Sequence, residues 1–586
     1  MFAILLSWGV ISFVLYSFGD MILALYNKIC GGNEDGNLPD KLILGLCFIV
    51  IPLQMWSLWL PSNHIFLLLS VLVSAVYCIF ARRRVTKGIK HLQKIISEIS
   101  AMQLWVMVVF FLLIMSSGLW VEGAWDSIFY HYQNIRWIEE YSVVPGLGNL
   151  DDRYGFNSNY MLLSAVFSFR YFFGEGLYTL HILFILILGL WVIWQLFSTG
   201  DKWQSLVLLV AFALFFFFSL RSLFDTSTDL LPNMIIFYLV AKFAVYPPVA
   251  KQNVLLYTLP LVLLVTCKLS LFFVCFFSIY ILISLMKGKN YKAISFILVA
   301  AVLILVPWMI RNVILSGYLV YPVYQVDLFA FDWKIPREVA ILQNTYIYDI
   351  GQHFLKAVFA PDDSHFSYPL WQRMLIMAIY ILAALSLLLS IFYIIRTKVK
   401  DKAFLCFFLA LFLALCVWFM KAPDARFVLG ILCGMIVLGG SSIKQHIFSA
   451  KFFRIAAYSY LVFFLIAFLA WDGFRMRDRT YAVANASHKE EITPISRIIF
   501  MPYRYKDFIK ARDIDVDGFM SPYALSGNIV IKVSSFPIFD EFPAVIESGI
   551  GGGQFLDYRC LEARGKTLQD GFRTKVGCGY VGQAEK

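Results

Sequence analysis

The sequence predicts an all-α polytopic membrane protein with a small α/β extramembrane domain at its C-terminal end. Three observations predict it. Of the 586 residues, 60% are hydrophobic and only 15% are charged, where soluble domains average roughly a quarter charged. Apolar runs of about 20 residues, each long enough to cross a hydrocarbon core, recur from Met1 to Trp471. Residues 472–586 then return to ordinary polarity. The division is therefore a transmembrane part, 1–471, and an extramembrane domain, 472–586. An outer-membrane barrel would need short alternating strands instead.

The spans read as 3–26, 41–60, 64–81, 102–122, 177–198, 203–220, 229–246, 254–267, 269–286, 293–313, 370–395, 403–419, 427–441 and 453–471, about 14 in all. Lys268 divides the 254–286 stretch into two short runs. Met1–Tyr26 lacks a basic leading region and runs straight into membrane-length apolar sequence, so it is not a cleavable signal.

Charge sets the orientation. The net charge is +11, from 49 basic and 38 acidic residues, as expected where cytoplasmic loops face anionic lipid. No basic stripe interleaves with a soluble fold, so nucleic acid is not an expected partner. Arg82–Arg84 with Lys87, Lys90 and Lys94, Lys287–Lys292, Arg396–Lys402, and Lys444, Lys451 and Arg454 mark cytoplasmic loops. All four lie inside only if 160–175 does not cross. That segment is short, holds Arg170 and Glu175, and reads as re-entrant or interface-lying. The loops 123–159, 221–229, 315–369 and 421–426 and the tail then share the outer face.

In the tail, NIVIKVSSF reads as a strand. SGIGGGQ reads as a turn, and it lacks the phosphate-loop pattern. Eight of the ten cysteines sit in or beside apolar runs as small core residues. Cys560 and Cys578 are in the tail and either pair, in an oxidising compartment, or stay free. No CxxC or His/Cys cluster calls for zinc. No cofactor is implied, and a divalent metal is left open.

The longest polar loop, Trp125–Asn159, brings acids, a histidine and arginines to the bilayer edge. An ionisable cluster there is a functional-site hypothesis. Asp126, Tyr130, Gln133 and Trp137 share a helical face, as on a surface-lying amphipathic helix. Asp126 can act on an acceptor proton, cap that helix, or do both. His131 is a base, a phosphate partner or a hydrogen-bonded interface histidine. Glu139–Glu140 and Asp151–Asp152 read first as solvated pairs. Arg153 either holds a phosphate oxygen or pairs with Asp151 or Asp152. In RSLFDTSTDLLPN, Asp225 and Asp229 align if the turn is helical. Asp229 also suits the start of the next span. Arg311, near the outer end of an apolar helix, snorkels or meets an anionic headgroup. In KAPDARF, Arg426 holds an anion or pairs locally with Asp424.

WDSIFYHYQNIRWI, VVPGLGNL and RYGFNSN, followed by PWMIRNVILSGYLVYP and APDARFVLG, carry a resemblance over roughly residues 100–440. They resemble a group of large bacterial polytopic membrane proteins linked to surface polysaccharide. More widely, the topology with its first-loop acid is similar to the GT-C superfamily of integral-membrane glycosyltransferases. The resemblance implies a polyprenyl-phosphate-linked sugar donor and a cell-surface glycan or lipid-linked acceptor, with the active face and tail outside a bacterial inner membrane. It implies that Asp126 is the catalytic first-loop acid and Asp225 or Asp229 the acid of the second outer turn. Tyr130, His131, Arg153, Arg311 and Arg426 are the expected substrate or phosphate contacts. The alternatives are a lipid-linked oligosaccharide polymerase or ligase, in which arginines dominate, and a non-enzymatic lipid-glycan transporter. A transporter would place its polar groups near the midplane, where Asp20 and Lys242 are candidates.

Overall fold

A computed structural model describes residues 1–120, 126–198, 200–223, 225–246, 253–364, 367–443, 449–487, 492, 494–503, 505–526, 529–538, 540–548 and 554–578. Trp125, Lys444 and most of the SGIGGGQ turn lie outside them. The protein is mainly helical and multi-pass, with a small strand region near its C-terminal end.

The chain opens with α1 (Phe2–Cys30) and α2 (Leu38–Ser57), which pack along one another. Asn37 and Asp40 cap α2 reciprocally, each side chain accepting from the other's backbone N–H. Next come α3 (His64–Phe80), α4 (Arg82–Glu98) and α5 (Ala101–Ser117). A π-turn (Ser127–His131) leads into α6 (Tyr132–Glu140), α7 (Asn159–Val166) and α8 (Arg170–Phe173). The bundle continues through α9 (Leu180–Ser198), α10 (Lys202–Ser219), α11 (Leu230–Val245) and α12 (Leu259–Cys267). A 3-10 segment (Leu269–Cys275) feeds α13 (Phe276–Lys287) and then α14 (Tyr291–Ser316). The remaining helices are α15 (Arg337–Phe359), α16 (Leu370–Arg396), α17 (Lys402–Lys421), α18 (Leu429–Ser441), α19 (Ala450–Asn485) and the short α20 (Tyr505–Ala511).

Among the described residues nine helices are long and apolar enough to cross a membrane. They are α1, α2, α9, α10, the joined 269–287 helix, α14, α16, α17 and α19. Shorter apolar helices, α5, α11 and α18, accompany them. α3 and α4 meet at 87°. The exposed faces of the outer helices are apolar (Leu298, Val302, Leu385, Leu388, Phe463 and Ile466 among them), as hydrocarbon contact requires.

The 160–175 stretch forms the eight-residue α7, buried throughout, and the turn into α8, too short to cross, in keeping with the re-entrant alternative. Two expectations are revised. The Asp126–Trp137 helix is not a surface helix. α6 is buried, and the π-turn breaks the register that would have set Asp126 in line with Gln133 and Trp137. The 315–369 segment, expected as a loop, contains the 23-residue α15.

α19 runs unbroken past Trp471 to Asn485. Beyond it, β1 (Met520–Ala524), β2 (Val530–Ser534) and β3 (Ala544–Ile546) form one sheet, β1–β2 antiparallel and β2–β3 parallel. β4 (Leu561–Ala563) and β5 (Phe572–Thr574) pair antiparallel. The NIVIKVSSF strand is β2. Cys560 and Cys578 are disulfide-bonded.

This domain docks on the first polar loop. Ala544 N–H donates to Gln133 Oε1 at 3.3 Å, and Trp137 packs edge-on to Phe542 and Phe572. Arg170 donates to both Glu139 and Asp540 at 2.6 Å. Phe572 N–H donates to Pro145 O, and the backbones come so close that a Cβ on Gly146 would fall 2.2 Å from Phe572 O. Gly146, at φ 64°, is the residue that both the turn and the approach demand.

Candidate functional site

The charged hairpins meet at one end of the bundle. Asp126 sits at the start of the π-turn, yet its carboxylate caps no backbone N–H. It faces Arg426 instead, with Arg426 Nη1 3.5 Å from Asp126 Oδ2. The Asp126 side chain is 43% exposed and that of Arg426 33%. Arg426 is held from behind. Asp424, buried, accepts from its Nε at 2.7 Å and from its backbone N–H at 2.9 Å. Trp418 Nε1 donates to the Asp424 carbonyl and fixes the hairpin to α17. The guanidinium also stacks over Phe354 of α15, 4.8 Å from the ring centre. Burial opposes its charge, but Asp424, Asp126 and Asp229 outweigh burial and keep Arg426 firmly protonated.

Two more acids flank this pair. Asp229 starts α11 but its carboxylate is drawn to Lys268, with which it forms an ion pair. Lys268 in turn lies 4.0 Å over the Phe427 ring. Asp225 is buried and accepts from Ser227 N–H at 2.8 Å. Burial pushes its carboxyl well above the usual range, opposed by the Ser227 N–H and reinforced by Asp126 and Asp229. Residues 225–229 are not helical, so Asp225 and Asp229 do not align as i and i+4 partners. His131 is buried, and its Nδ1 has no hydrogen-bond partner among the described residues. Burial lowers its pKa to about 4, with Asp126 and Asp229 pulling the other way. The imidazole is therefore neutral at pH 7.

Tyr130 and Arg153 belong to the wall of this cluster. Arg153 stacks over Tyr130, 4.8 Å from the ring centre, and burial holds the Tyr130 hydroxyl protonated. Arg153 is engaged by Asp151 in a bidentate pair, Nε at 3.0 Å and Nη2 at 2.7 Å, and also reaches Gln554 of the tail at 3.4 Å. Asp152 accepts from Gln343 of α15 at 2.5 Å and from Phe555 N–H at 3.1 Å. Burial and then Asp151 raise its pKa. Asp151, Asp152 and Glu139 are thus buried rather than solvated, while Glu140 stays exposed as expected. Asp151 and Asp152 tie the first loop to α15 and to the tail, and Glu139 does the same through Arg170.

Arg311 differs from both other arginines. It faces inward from α14 and is 2% exposed. Its Nη1 donates to Ser57 Oγ at 2.8 Å and its Nε to Asn157 Oδ1 at 3.3 Å. Among the described residues no carboxylate pairs with it. It neither snorkels nor forms a salt bridge. Asn157 is locked to the same helix by exchanging hydrogen bonds with Trp308. Nearby buried polar atoms, Asn312 Nδ2 on α14 and both side-chain polar atoms of Gln54 one turn before Ser57, have no partner among the described residues.

The structure therefore gathers Asp126, Arg426, Asp229, Asp225 and His131, sets Tyr130 and Arg153 behind them, and leaves Arg311 in a separate buried polar niche. Sequence reasoning missed Lys268 as a partner, although a lysine breaking an apolar run was the available signal. It also missed α15, which lays Phe354 and Tyr346 over the site. Burial raises the Tyr346 hydroxyl, and Asp126, Arg153 and Arg426 all act on it. α15 passes so near the 421–426 hairpin that a Cβ on Gly351 would sit 2.8 Å from Pro423 Cδ. Among the described residues no three His, Cys, Asp or Glu side chains are grouped to hold a metal ion.

A family model described as a domain of unknown function, DUF8201, matches residues 1–433, and the chain belongs to that family. The match takes in every hairpin of the site through Arg426 and stops before the tail. No curated protein and no solved structure matches the chain.

Proposed function

We propose that the chain is a membrane glycosyltransferase of GT-C-like architecture, with the about 14 crossings that the apolar runs of the sequence suggest. The reading rests on one observation above all: a half-exposed carboxylate and a protonated guanidinium face each other 3.5 Å apart at the rim of the bundle. A lipid-phosphate sugar reaching that rim from the bilayer meets both groups. Asp126 takes the proton of the acceptor hydroxyl as its oxygen bonds to the anomeric carbon. The bond from that carbon to the phosphate oxygen breaks, and the electron pair leaves with the polyprenyl phosphate. Arg426, prepositioned by Asp424, stabilises the developing charge. Burial pushes the Asp225 carboxyl up, which makes it the weaker competitor as an anion. Arg311, in its separate niche, is a second candidate anion contact, because a buried guanidinium with no carboxylate among the described residues is costly unless an anion arrives.

The Cys560–Cys578 disulfide supports an oxidising compartment for the tail and hence for the site end. The basic turns at the other end support a cytoplasmic face there. The acceptor is a cell-surface glycan or a lipid-linked sugar.

The test is turnover of polyprenyl-phosphate-linked sugars by the purified full chain. Asp126→Asn should lower kcat by about 10²–10⁴-fold. Full turnover by that variant removes the base. Loss in Arg311→Gln and Arg426→Gln with an active Asp126→Asn would instead favour the arginine-dominated polymerase or ligase.

A further inference from the structure

The second amphipathic element of this molecule lies at the far end from the charged hairpins. α3 starts beside the site, where Asn63 Nδ2 donates to Glu139 O, and runs away from it. At Ala81 the chain turns by 87° into α4. A helix at right angles to a membrane-crossing helix lies in the plane of the bilayer.

The sequence of α4 fits that plane. Val85, Ile89, Leu92 and Ile96 recur at helical spacing and form one stripe. Ile89, Leu92 and Ile96 are 52%, 50% and 56% exposed, so nothing among the described residues covers the stripe. Arg83, Lys87, Lys90 and Lys94 share the opposite face and are exposed. A soluble surface helix would turn its apolar stripe to the core. This one turns it outward at membrane level and rims it with cations.

Arg84 points a third way. Its Nε donates to Asp20 Oδ2 of α1 at 2.7 Å, and the same Asp20 accepts from Tyr77 at 2.7 Å and pairs with Lys41 at 3.0 Å. The start of α4 is thereby bolted to α1, α2 and α3, and Gly88 lies against Tyr16 of α1, while the apolar stripe stays exposed. The same end carries a second basic feature. A recess of about 640 Å³ at the α16–α17 turn is lined by Arg396, Lys398 and Lys400 with Tyr393, Thr397 and Asp401.

We propose that α4 is an anionic-lipid-binding helix, its apolar stripe sunk among the acyl chains and its lysines on the phosphates of acidic phospholipids in the leaflet opposite the site. Charge complementarity selects this occupant. Cations flanking an outward apolar stripe match an acidic headgroup layer, and they would repel the same face of a second copy.

The experiment is hydrogen–deuterium exchange of residues 82–98 in the full chain. It is carried out in nanodiscs of phosphatidylcholine alone and of equal parts phosphatidylcholine and phosphatidylglycerol. The expected result is exchange slowed about tenfold or more in the acidic discs, and restored by high salt or by the combined K87Q, K90Q and K94Q variant. Those side chains are exposed, so the variant keeps its fold. Leu92→Asp should restore exchange as well. Inorganic phosphate added to neutral discs should change nothing, because the free anion offers no acyl layer. Equal exchange in both discs overturns the proposal. So does protection of the triple variant in acidic discs. Protection that appears only with two copies per disc makes the stripe a contact between copies and overturns it too.

Discussion

Two acid–arginine pairs, Asp126–Arg426 and Asp151–Arg153, show how the same side chains serve different ends. The first is long, at 3.5 Å, with both side chains at least a third exposed. The second is bidentate at 2.7–3.0 Å with neither side chain more than 6% exposed. Arg153 is spent on architecture, since its partners fix the first loop to the tail. Arg426 is positioned by Asp424 but keeps a face toward Asp126 and the rim. Exposure, not residue type, separates the two pairs, one open at the rim and the other closed in the interior. Arg311 stands apart from both, being as buried as Arg153 but without an acid.

The largest expected effect breaks the buried pair. Arg153→Ala leaves Asp151 buried and unpaired, which should cost about 3–5 kcal/mol, read as loss of thermal stability in detergent. Asp126→Asn should cost less than about 1 kcal/mol by the same assay, because an exposed pair is screened. Equal destabilisation by the two changes would erase the distinction between site and scaffold.

A second test uses acid. The pKa of His131 is depressed from 6.5 to about 4 in the fold. Its unfolded form therefore binds a proton first as pH falls. The stability that neutral His131 allows is complete above pH 6.5 and is lost progressively toward pH 4, by about 3 kcal/mol. His131→Asn should flatten that part of the stability–pH curve relative to the parent chain. An unchanged slope would mean that His131 is not held neutral.

A third test sharpens the role of the tail. The Cys560–Cys578 bond closes a separation of 18 residues around β4 and β5, worth about 3 kcal/mol or less by loop-closure entropy. Replacing both cysteines with serine should raise proteolysis of residues 554–578 while leaving the helical bundle's melting unchanged. A lowered bundle transition would show that the tail stabilises the membrane part through the first loop.

How much was legible follows from periodicity and solvation. Long apolar runs name themselves, because a helix in lipid must be apolar over its full length. Thus α1, α2, α9, α10, α14, α16, α17 and α19 each overlap an expected span. β2 was readable from its Val and Ile content. α15 was not. Its stripe of Val339, Ala340, Gln343, Gly351, Ala357 and Val358 is interrupted by polar and small residues, and its burial depends on contacts from other elements. The π-turn at Ser127–His131 was likewise hidden, since a single inserted residue in the helical repeat leaves no compositional trace. Among site residues, Asp126, Asp225, Asp229, His131 and Arg426 were readable as polar groups at span ends, and the pairing of Asp424 with Arg426 was one of two alternatives.

By itself the sequence determined that this chain lives in a membrane and that its acids and arginines concentrate in the turns between apolar runs. Hydropathy is a sum over neighbours, so local sequence suffices for it. Tertiary structure alone decided which charges cancel. Arg170 takes Glu139 and Lys268 takes Asp229, while Arg311 meets Ser57 and Asn157 and, among the described residues, no carboxylate. Charge pairing falls steeply with distance and rises with burial, and both are fixed only when helices far apart in sequence are packed side by side.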